Sequence, residues 1–206
     1  MTEKEYIKRI HAEILGIVKP EARVLDVGCG TGELLRLLWD KKKAYGTGID
    51  INTEAVLECI RKGVSVVQED IDEGLDKYKD GSYDYVVLSE TLQTVRKPDY
   101  VLEQIVRIGN SAIVAFPNFA NIKIRLSLLF GGRMPKTGSL PYEWFDTPNI
   151  HLLTIKDFRD FCGARGIEIT KQIYFSESGK KKSAGWFLKN LLAEEALFVI
   201  KKEAGK

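Results

Sequence analysis

A glycine-rich turn near the start of the chain carries the residues best suited to chemistry. It follows a short apolar run and reads Val24-Leu25-Asp26-Val27-Gly28-Cys29-Gly30-Thr31-Gly32-Glu33. Its glycines allow the backbone to approach a ligand closely at the carboxyl end of a strand. Such a turn also suits tight packing of a helix on a strand, so the motif alone leaves this structural explanation open.

Glu33 separates two kinds of nucleotide ligand. A dinucleotide-binding turn has the spacing G-x-G-x-x-G, and its third glycine would fall at the position of Glu33. A carboxylate there would repel a pyrophosphate at the helix N-terminus. It suits a ligand with a cationic reactive end and no phosphate, as in S-adenosylmethionine with its sulfonium and α-ammonium groups. Asp26 is placed to bind that ammonium.

Acidic residues end the next two predicted strands. Asp50 follows Gly30 by 20 positions, where a carboxylate can accept hydrogen bonds from both ribose hydroxyls, although NAD would use the same residue. Asp70 is a candidate partner for an adenine amino group, and Ile71 is a candidate apolar contact to the ring. The alternative for Asp70 is that it caps the following turn.

A fourth predicted strand ends at Ser89, which would lie beside the methionine part of the ligand. Because the carboxyl ends of parallel strands meet at one edge of a sheet, four strand ends should converge on one crevice. The methyl donor S-adenosyl-L-methionine is therefore the predicted cofactor, with S-adenosyl-L-homocysteine as its product. The predicted cofactor-binding residues are Asp26, Gly28, Cys29, Gly30, Gly32, Asp50, Ile51, Asp70, Ile71 and Ser89.

Catalytic residues are much less clearly indicated, and His151, Tyr142 and Glu90 are only weak candidates. His151 has a suitable unperturbed pKa for a base, but it lies in an apolar segment where a ring N–H bonded to backbone is the favoured explanation. Tyr142 lies close to Trp144 and Phe145, and a packed core or interface cluster is favoured over a substrate cage. Glu143 and Asn118 are further acceptor-side candidates, and His11 is expected at the surface. Cys29 is expected to be a small filler rather than a nucleophile.

Short β-branched runs alternate with helical stretches, which predicts an α/β protein with a doubly wound, mostly parallel sheet. Thr53 is the expected N-cap of the helix predicted near 53–62, and Gly63 is its expected C′ residue. Strands are predicted over 23–27, 44–50, 64–68, 83–88, 111–116, 167–175 and 196–200. Helices are predicted near 32–40, 53–62 and 98–108.

One methyltransferase-like domain is predicted over residues 1–206, and it divides into four parts. These parts are an N-terminal helix over 1–19, a nucleotide-binding core over 23–116, an insertion over 117–150 and a C-terminal helix and hairpin over 151–206. The insertion holds four of the six prolines and an apolar stripe over 122–130. Thr154 and Asp157 predict a capping box, and the polar stretch around Lys180-Lys181-Lys182 predicts a solvated loop.

Composition excludes several classes of protein. Lys and Arg number 31 against 29 Asp and Glu, and they form no strongly basic run, which argues against nucleic acid as a partner. The three cysteines are far apart and have no histidine cluster beside them, so no metal site is predicted. No apolar run is long enough to span a membrane, and a cytoplasmic protein, monomeric or homodimeric, is expected.

With these motifs the sequence resembles the class I S-adenosylmethionine-dependent methyltransferases. Within that class it resembles the MetW family of methionine biosynthesis proteins. The narrower resemblance rests on SETLQ (89–93), FPNF (116–119), GRMP (132–135) and LPYEWFDTPNIHLLT (140–154). It implies a seven-stranded sheet with a C-terminal antiparallel hairpin and an insertion between strands five and six. It also implies association with the homoserine O-acyltransferase of that pathway, and it supplies no methyl acceptor.

Two functions remain open on these grounds. One is methyl transfer to a small molecule, since exocyclic amines of nucleic acids are disfavoured by the lack of an N-P-P-Y tetrad after Ser89. The other is a non-catalytic or regulatory S-adenosylmethionine-binding partner of the homoserine O-acyltransferase. An NAD-dependent oxidoreductase is disfavoured by Glu33.

Overall fold

The computed structural model describes residues 3–137, 140–176 and 186–203. Seven strands form one sheet in the order β3-β2-β1-β4-β5-β7-β6. The first five are parallel to one another, and β7 is antiparallel to both β5 and β6. The strands are β1 (Arg23–Val27), β2 (Tyr45–Asp50), β3 (Ser65–Gln68), β4 (Tyr83–Ser89), β5 (Gly109–Pro117), β6 (Ile167–Phe175) and β7 (Glu195–Lys202).

Helices cover both faces of the sheet. They are α1 (Glu3–Ile17), α2 (Glu33–Lys42), α3 (Thr53–Arg61), α4 (Pro98–Ile108), α5 (Ile122–Leu126), α6 (Ile155–Ala164) and α7 (Trp186–Leu192), with a short 3₁₀ helix at Leu75–Lys77. One apolar cluster joins one face of the sheet to α1, α2 and α3, and a second joins the other face to α4 and α6. Neighbouring residues Val86, Val87 and Leu88 are all fully buried, as expected for a central strand covered on both sides.

The predicted fold class is confirmed, and most element boundaries agree within two residues. Gly63 has a φ of 70° directly after the C-cap of α3, and Thr154 and Asp157 form the predicted capping box of α6. The prediction of Thr53 as N-cap is wrong. The side chain of Asn52, one residue earlier, accepts the Ala55 N–H at 3.0 Å, and Thr53 is the first helical residue.

Between β5 and α6, the described residues form no strand. The apolar stripe over 122–130 is helical and divides between α5 and a wider π-helical turn at Ser127–Gly131, which Gly132 ends with a φ of 59°. A further helix, α7, precedes β7 where only a loop was predicted, whereas the predicted loop around Lys180–Lys182 lies outside the described residues. No helix in the described ranges is both long enough and apolar enough to cross a membrane.

Candidate functional site

The turn between β1 and α2 requires glycine for two physical reasons. Gly28, Gly30 and Gly32 have φ angles of 78°, 51° and 74°, a region that side chains disfavour. A Cβ on Gly28 would also lie 2.4 Å from the Thr91 hydroxyl oxygen, in the segment that follows β4. The Gly28 N–H donates to the Ile49 carbonyl at 2.8 Å, so the turn is held between the ends of β2 and β4.

Asp50, the last residue of β2, holds this turn from the other side. Its Oδ2 accepts the Gly30 N–H at 2.8 Å and its Oδ1 accepts the Asn52 N–H at 2.9 Å. Each carboxylate oxygen keeps a further lone pair, so the side chain can still accept hydrogen bonds from a diol.

Asp26 has the opposite environment. Its side chain is buried, with 3% of the residue exposed, and none of the described residues donates a hydrogen bond to its carboxylate. Burial, and then the nearby charge of Asp50, raise the pKa of Asp26 to about 7. A buried carboxylate without a compensating cation is costly, which makes this position suitable for a cationic ligand group.

A cavity of about 360 Å³ lies between α1 and the glycine turn. Six of the predicted residues line it, namely Asp26, Gly28, Cys29, Gly30, Ser89 and Glu90. Ile7, His11, Thr31, Glu33 and Leu34 complete the lining. Burial raises the pKa of the Cys29 thiol, in agreement with its prediction as a filler rather than a nucleophile.

His11, which is expected at the surface, is half-buried and lines the cavity. Burial lowers its pKa, and the charge of Glu33 opposes that effect. Helical periodicity indicates that His11 faces inward, because it precedes Ile14 and Val18 by three and seven residues. Both of these residues are buried. Tertiary packing places Ile7 and His11 of α1 over the cavity, while Ile14 and Val18 lie in the core.

Five predicted cofactor residues lie outside the lining of this cavity, and Asp50, described above, is one of them. Gly32 packs against α3, since a Cβ there would lie 3.0 Å from the Cys59 sulfur, and Ile51 is exposed. Ile71 is half-buried against the core. Asp70 accepts the Asp72 N–H at 2.9 Å, which is the turn-capping geometry, and its other oxygen accepts a hydrogen bond from Arg96 at 2.6 Å.

The catalytic candidates separate into different places. Glu90 lines the cavity directly after β4 and has a φ of 56°. His151 lies instead in an apolar groove between α4 and α6, where its backbone N–H donates to the Gln93 carbonyl at 3.1 Å. Its ring Nε2 is buried and has no hydrogen-bond partner within the described ranges, so the expected ring-to-backbone bond is not observed.

The insertion aromatics are exposed, so of the two favoured explanations the core is wrong and the interface stays a prediction. Trp144 and Phe145 contact each other edge to face at 5.7 Å and are 75% and 70% exposed. Tyr142 lines a small separate cavity together with Trp144 and Glu143. Asn118 is fully buried, and its amide donates to the backbone carbonyls of Asn190 and Ala193, which is a structural role.

A larger cavity of about 640 Å³ lies at the opposite edge of the sheet. It is lined by residues at the amino ends of strands, among them Arg23, Tyr45, Ser65 and Tyr83, and by none of the predicted site residues. Ligands of open α/β sheets bind at the carboxyl edge, so the smaller cavity beside the glycine turn is the candidate site.

The charges at and beside this cavity fit S-adenosylmethionine. Asp26 in the lining would face the ammonium, and Asp50, which lies beside the cavity and holds the glycine turn, would face the ribose hydroxyls. The glycine turn allows close approach of the ligand. When bound, this molecule would supply an electrophilic methyl group on sulfur. Asp26 and Glu33 make the cavity acidic, so the fit to a phosphate-bearing cofactor is poor.

Comparisons with known proteins agree with this picture. A family model described as methionine biosynthesis protein MetW matches residues 8–200. The bifunctional methionine biosynthesis protein MetXA/MetW of Rhodopirellula baltica is 34% identical over 171 residues, covering 79% of this chain and only 27% of its own length. The chain therefore spans about a quarter of that relative.

Solved structures share the fold at low identity. A SAM-dependent methyltransferase from Archaeoglobus fulgidus superposes with a TM-score of 0.71 at 18% identity, covering 96% of this chain and 94% of that one. The cyclase SpnF superposes with a TM-score of 0.67 at 15% identity, covering 96% and 82%. The sheet and its helices are those of the class I methyltransferases, a fold that also occurs in a protein described as a cyclase.

Proposed function

The chain belongs to the MetW family of methionine biosynthesis proteins, and on that premise we propose that it binds S-adenosylmethionine beside the glycine turn and transfers the methyl group to a small molecule. The observation that carries the proposal is Asp26, a buried carboxylate without a donor among the described residues, at the floor of a cavity built on a glycine turn. A ligand ammonium would supply the missing positive charge.

In this proposal each residue of the site has a role that follows from its position. Asp26 binds the ammonium, Asp50 orients the ribose while it holds the glycine turn, and α1 covers the cavity with Ile7 and His11. Methyl transfer from sulfur is an in-line displacement, and holding donor and acceptor in line at attack distance supplies much of its acceleration. A base is needed where the acceptor carries a proton at the attacking atom.

Calorimetry with the purified chain tests the binding step. We expect saturable binding of S-adenosylmethionine and of S-adenosylhomocysteine, and we expect Asp50→Ala to weaken it by about 1.5–3 kcal/mol, or roughly 10- to 150-fold. The physical reason is loss of charged hydrogen bonds to the ribose and of the support for the glycine turn. Asp40→Asn, an exposed carboxylate on α2 that pairs with Arg36, is the matched control and should leave the affinity unchanged.

Two outcomes would count against these assignments. Unchanged affinity in Asp50→Ala would refute the ribose role of that residue. Absence of binding of either ligand at millimolar concentration would refute the proposed function as a whole.

A second candidate function is favoured by the exposed apolar surface of the insertion. Ten large apolar side chains are exposed in the described part of the segment between β5 and α6, and we term the eight within residues 126–145 the insertion surface. Its residues are Leu126, Leu128, Leu129, Phe130, Met134, Tyr142, Trp144 and Phe145.

We infer that this surface contacts the homoserine O-acyltransferase of methionine biosynthesis. The R. baltica relative carries MetXA and MetW in one chain, an arrangement that raises the effective concentration of one part at the other. In this role the chain would be a regulatory, methyl-donor-sensing partner. Co-purification of the two proteins and a changed acyltransferase rate would support the role, and absence of both effects would contradict it.

The two candidates share the ligand cavity, so ligand binding does not distinguish them. Turnover does, because a regulatory partner binds the methyl donor without consuming it. Incubation with S-adenosylmethionine labelled in its methyl group, with and without the acyltransferase, reports whether label leaves the donor.

A further inference from the structure

The cavity at the amino ends of the strands takes no part in the proposed function. It measures about 640 Å³, against about 360 Å³ for the cavity beside the glycine turn. The first residues of β1 to β4 line it, together with one side of α2 and the residues that lead from the 3₁₀ helix into β4. Ligands of open α/β sheets usually bind at the other edge, so ligand binding here would depend on the side chains of the lining.

The charge of this cavity is opposite to that of the cavity beside the glycine turn, which is acidic. None of its described lining residues is acidic, and four of them are basic. The basic residues are Arg23, Arg36, Lys77 and Lys79. A concave surface lined by charges of one sign attracts ligands of the opposite sign, so this cavity favours an anion.

Three of these four side chains pair with carboxylates that lie outside the lining. The pairs are Arg23 with Asp84, Arg36 with Asp40 and Lys77 with Glu69. The two arginine pairs are exposed to solvent, and such pairs contribute little to stability. A ligand anion can therefore compete for these guanidinium groups.

Lys79 and Ser82 carry polar groups of the lining that have no partner in the part of the chain that the structure describes. Lys79 is exposed and forms no ion pair there. The Ser82 Oγ is buried and has no hydrogen-bond partner there, which is unfavourable for a hydroxyl. The Ser82 N–H donates to the Lys79 carbonyl at 3.2 Å, so the two residues lie in one turn.

Arg23 lies beside this turn. Its backbone N–H donates to the Asp84 carboxylate at 2.8 Å, and Asp84 follows Ser82 by two residues. The Arg23 side chain donates to Asp84 through Nε and Nη2, which leaves the N–H groups of Nη1 for a ligand. Arg23, Lys79 and Ser82 thus form a group of neighbouring donors that suits a phosphate.

Aromatic rings adjoin these donors. Tyr45 pairs in register with Arg23 across β1 and β2, and its ring contacts the Trp39 ring edge to face at 6.1 Å. Both rings line the cavity and are exposed. Exposed aromatic rings stack with planar groups such as nucleobases. The cavity therefore combines donors for an anion with a surface for a planar ring.

We propose that this cavity binds a nucleoside monophosphate, with its phosphate at Arg23, Lys79 and Ser82 and its base against Tyr45 and Trp39. The cavity has room for such a ligand, since the proposed site of the adenosyl ligand is the smaller of the two. The two cavities share no described lining residue, so this ligand is additional to the methyl donor.

Calorimetry on the full chain tests this site while S-adenosylhomocysteine saturates the other cavity. AMP is the probe, and adenosine and ribose 5-phosphate are the matched ligands that lack its phosphate and its base. We expect saturable binding of AMP, and an affinity at least tenfold lower for each fragment. A smaller difference for either fragment, or no binding of AMP at millimolar concentration, would overturn the proposal. Displacement of AMP by S-adenosylhomocysteine would overturn it too, because AMP would then occupy the cavity beside the glycine turn.

A substitution at Lys79 tests the phosphate position. Lys79→Gln should weaken AMP binding about tenfold and leave adenosine binding unchanged, because it removes a charged donor to the phosphate. Lys156→Gln, an exposed lysine on α6, is the matched control and should leave the AMP affinity unchanged. Unchanged AMP affinity in Lys79→Gln, or an equal loss in the control, would contradict the phosphate position.

A substitution at Tyr45 tests the base position. Tyr45→Ala should weaken AMP and adenosine by the same factor and leave ribose 5-phosphate unaffected, because it removes a stacking surface. Trp144→Ala, an exposed aromatic residue of the insertion surface, is the control. Both Lys79 and Tyr45 are exposed, so these variants should fold and bind S-adenosylhomocysteine within about twofold of wild type. Full AMP affinity in Tyr45→Ala would contradict the base position.

Discussion

Asp26 and Asp50 are the same residue type on adjacent strands, yet their hydrogen-bonding environments differ. Asp50 accepts hydrogen bonds from two backbone N–H groups, whereas no described group donates a hydrogen bond to Asp26. Burial of Asp26, and then the charge of Asp50, raise the pKa of Asp26 to about 7. A carboxylate that accepts backbone hydrogen bonds is stabilised as an anion, and one without donors requires a cation to stay ionised. At the scale of single residues, Asp26 is therefore the group that should couple ligand binding to pH.

We predict that S-adenosylhomocysteine affinity rises with pH up to about 7 and is level above it. Below that pH the free protein holds a proton on Asp26, and binding of an ammonium must displace it, which costs up to tenfold in affinity per pH unit. Calorimetry between pH 5.5 and 8.5 measures the profile. Asp26→Asn should bind more weakly at pH 8 and lose the dependence, and a profile that is the same in both proteins would contradict the role of Asp26.

At the scale of elements, the site depends on contact between two turns that are far apart in sequence. Gly28 in the β1–α2 turn lies against Thr91 in the segment after β4, because β1 and β4 are neighbours in the sheet. Gly30 has a similar positive φ, but nothing lies within 4 Å of a Cβ built on it. This pair separates backbone strain from steric contact within one turn.

We expect Gly28→Ala to lower the free energy of unfolding more than Gly30→Ala does. Both substitutions force a side chain into the left-handed region, at about 1–2 kcal/mol. Only Gly28→Ala adds overpacking against Thr91, at a further 1–3 kcal/mol. Urea denaturation of the ligand-free chain measures both changes. Thr91→Ala should return Gly28→Ala close to the level of Gly30→Ala, and failure of that rescue would argue against the contact.

At the scale of the whole molecule, the insertion surface is the feature that the fold itself does not use. Leu129 and Phe130 follow α5 and are 73% and 81% exposed, while Ile124 in the same segment is buried. Part of the insertion is thus buried in the fold, and part of it is exposed. A partner that is fused in the R. baltica relative is the occupant that we propose.

We predict that Leu129→Ser combined with Phe130→Ser weakens association with homoserine O-acyltransferase at least tenfold. The reason is loss of apolar area at the centre of the contact, whereas the ligand cavity is formed by other elements. Leu57→Ser with Ile60→Ser, two exposed residues of α3, is the matched control. Sedimentation of the mixed proteins measures association, and S-adenosylhomocysteine binding should be unchanged in both variants. Loss of self-association alone would indicate that a second copy of the chain covers this surface.

The strand and helix boundaries, the glycine turn and the α6 capping box were predictable because they depend on short-range chemistry. Periodicity, turn residues and caps act within a few positions, so β1 and β6 were predicted to the residue. The same local logic explains the error at Thr53: Asn52 is an equally suitable cap, and only the start of the helix decides between them. The helix α7 was missed because it is only seven residues long, too short for periodicity to separate it from the polar loop predicted before it.

Local patterns were thus sufficient to predict the fold class, the glycine turn and the acidic residues at the ends of β1 and β2. The packing of the whole chain fixes which distant groups lie beside them. His11 reaches the cavity because α1 packs across the sheet, and β7 lies between β5 and β6. Local patterns carry no information on that strand order, since it is fixed by burial of whole faces against one another. For this reason the strand ends that carry the glycine turn and Asp50 could be predicted from residue spacing, and the contribution of α1 to the cavity could not.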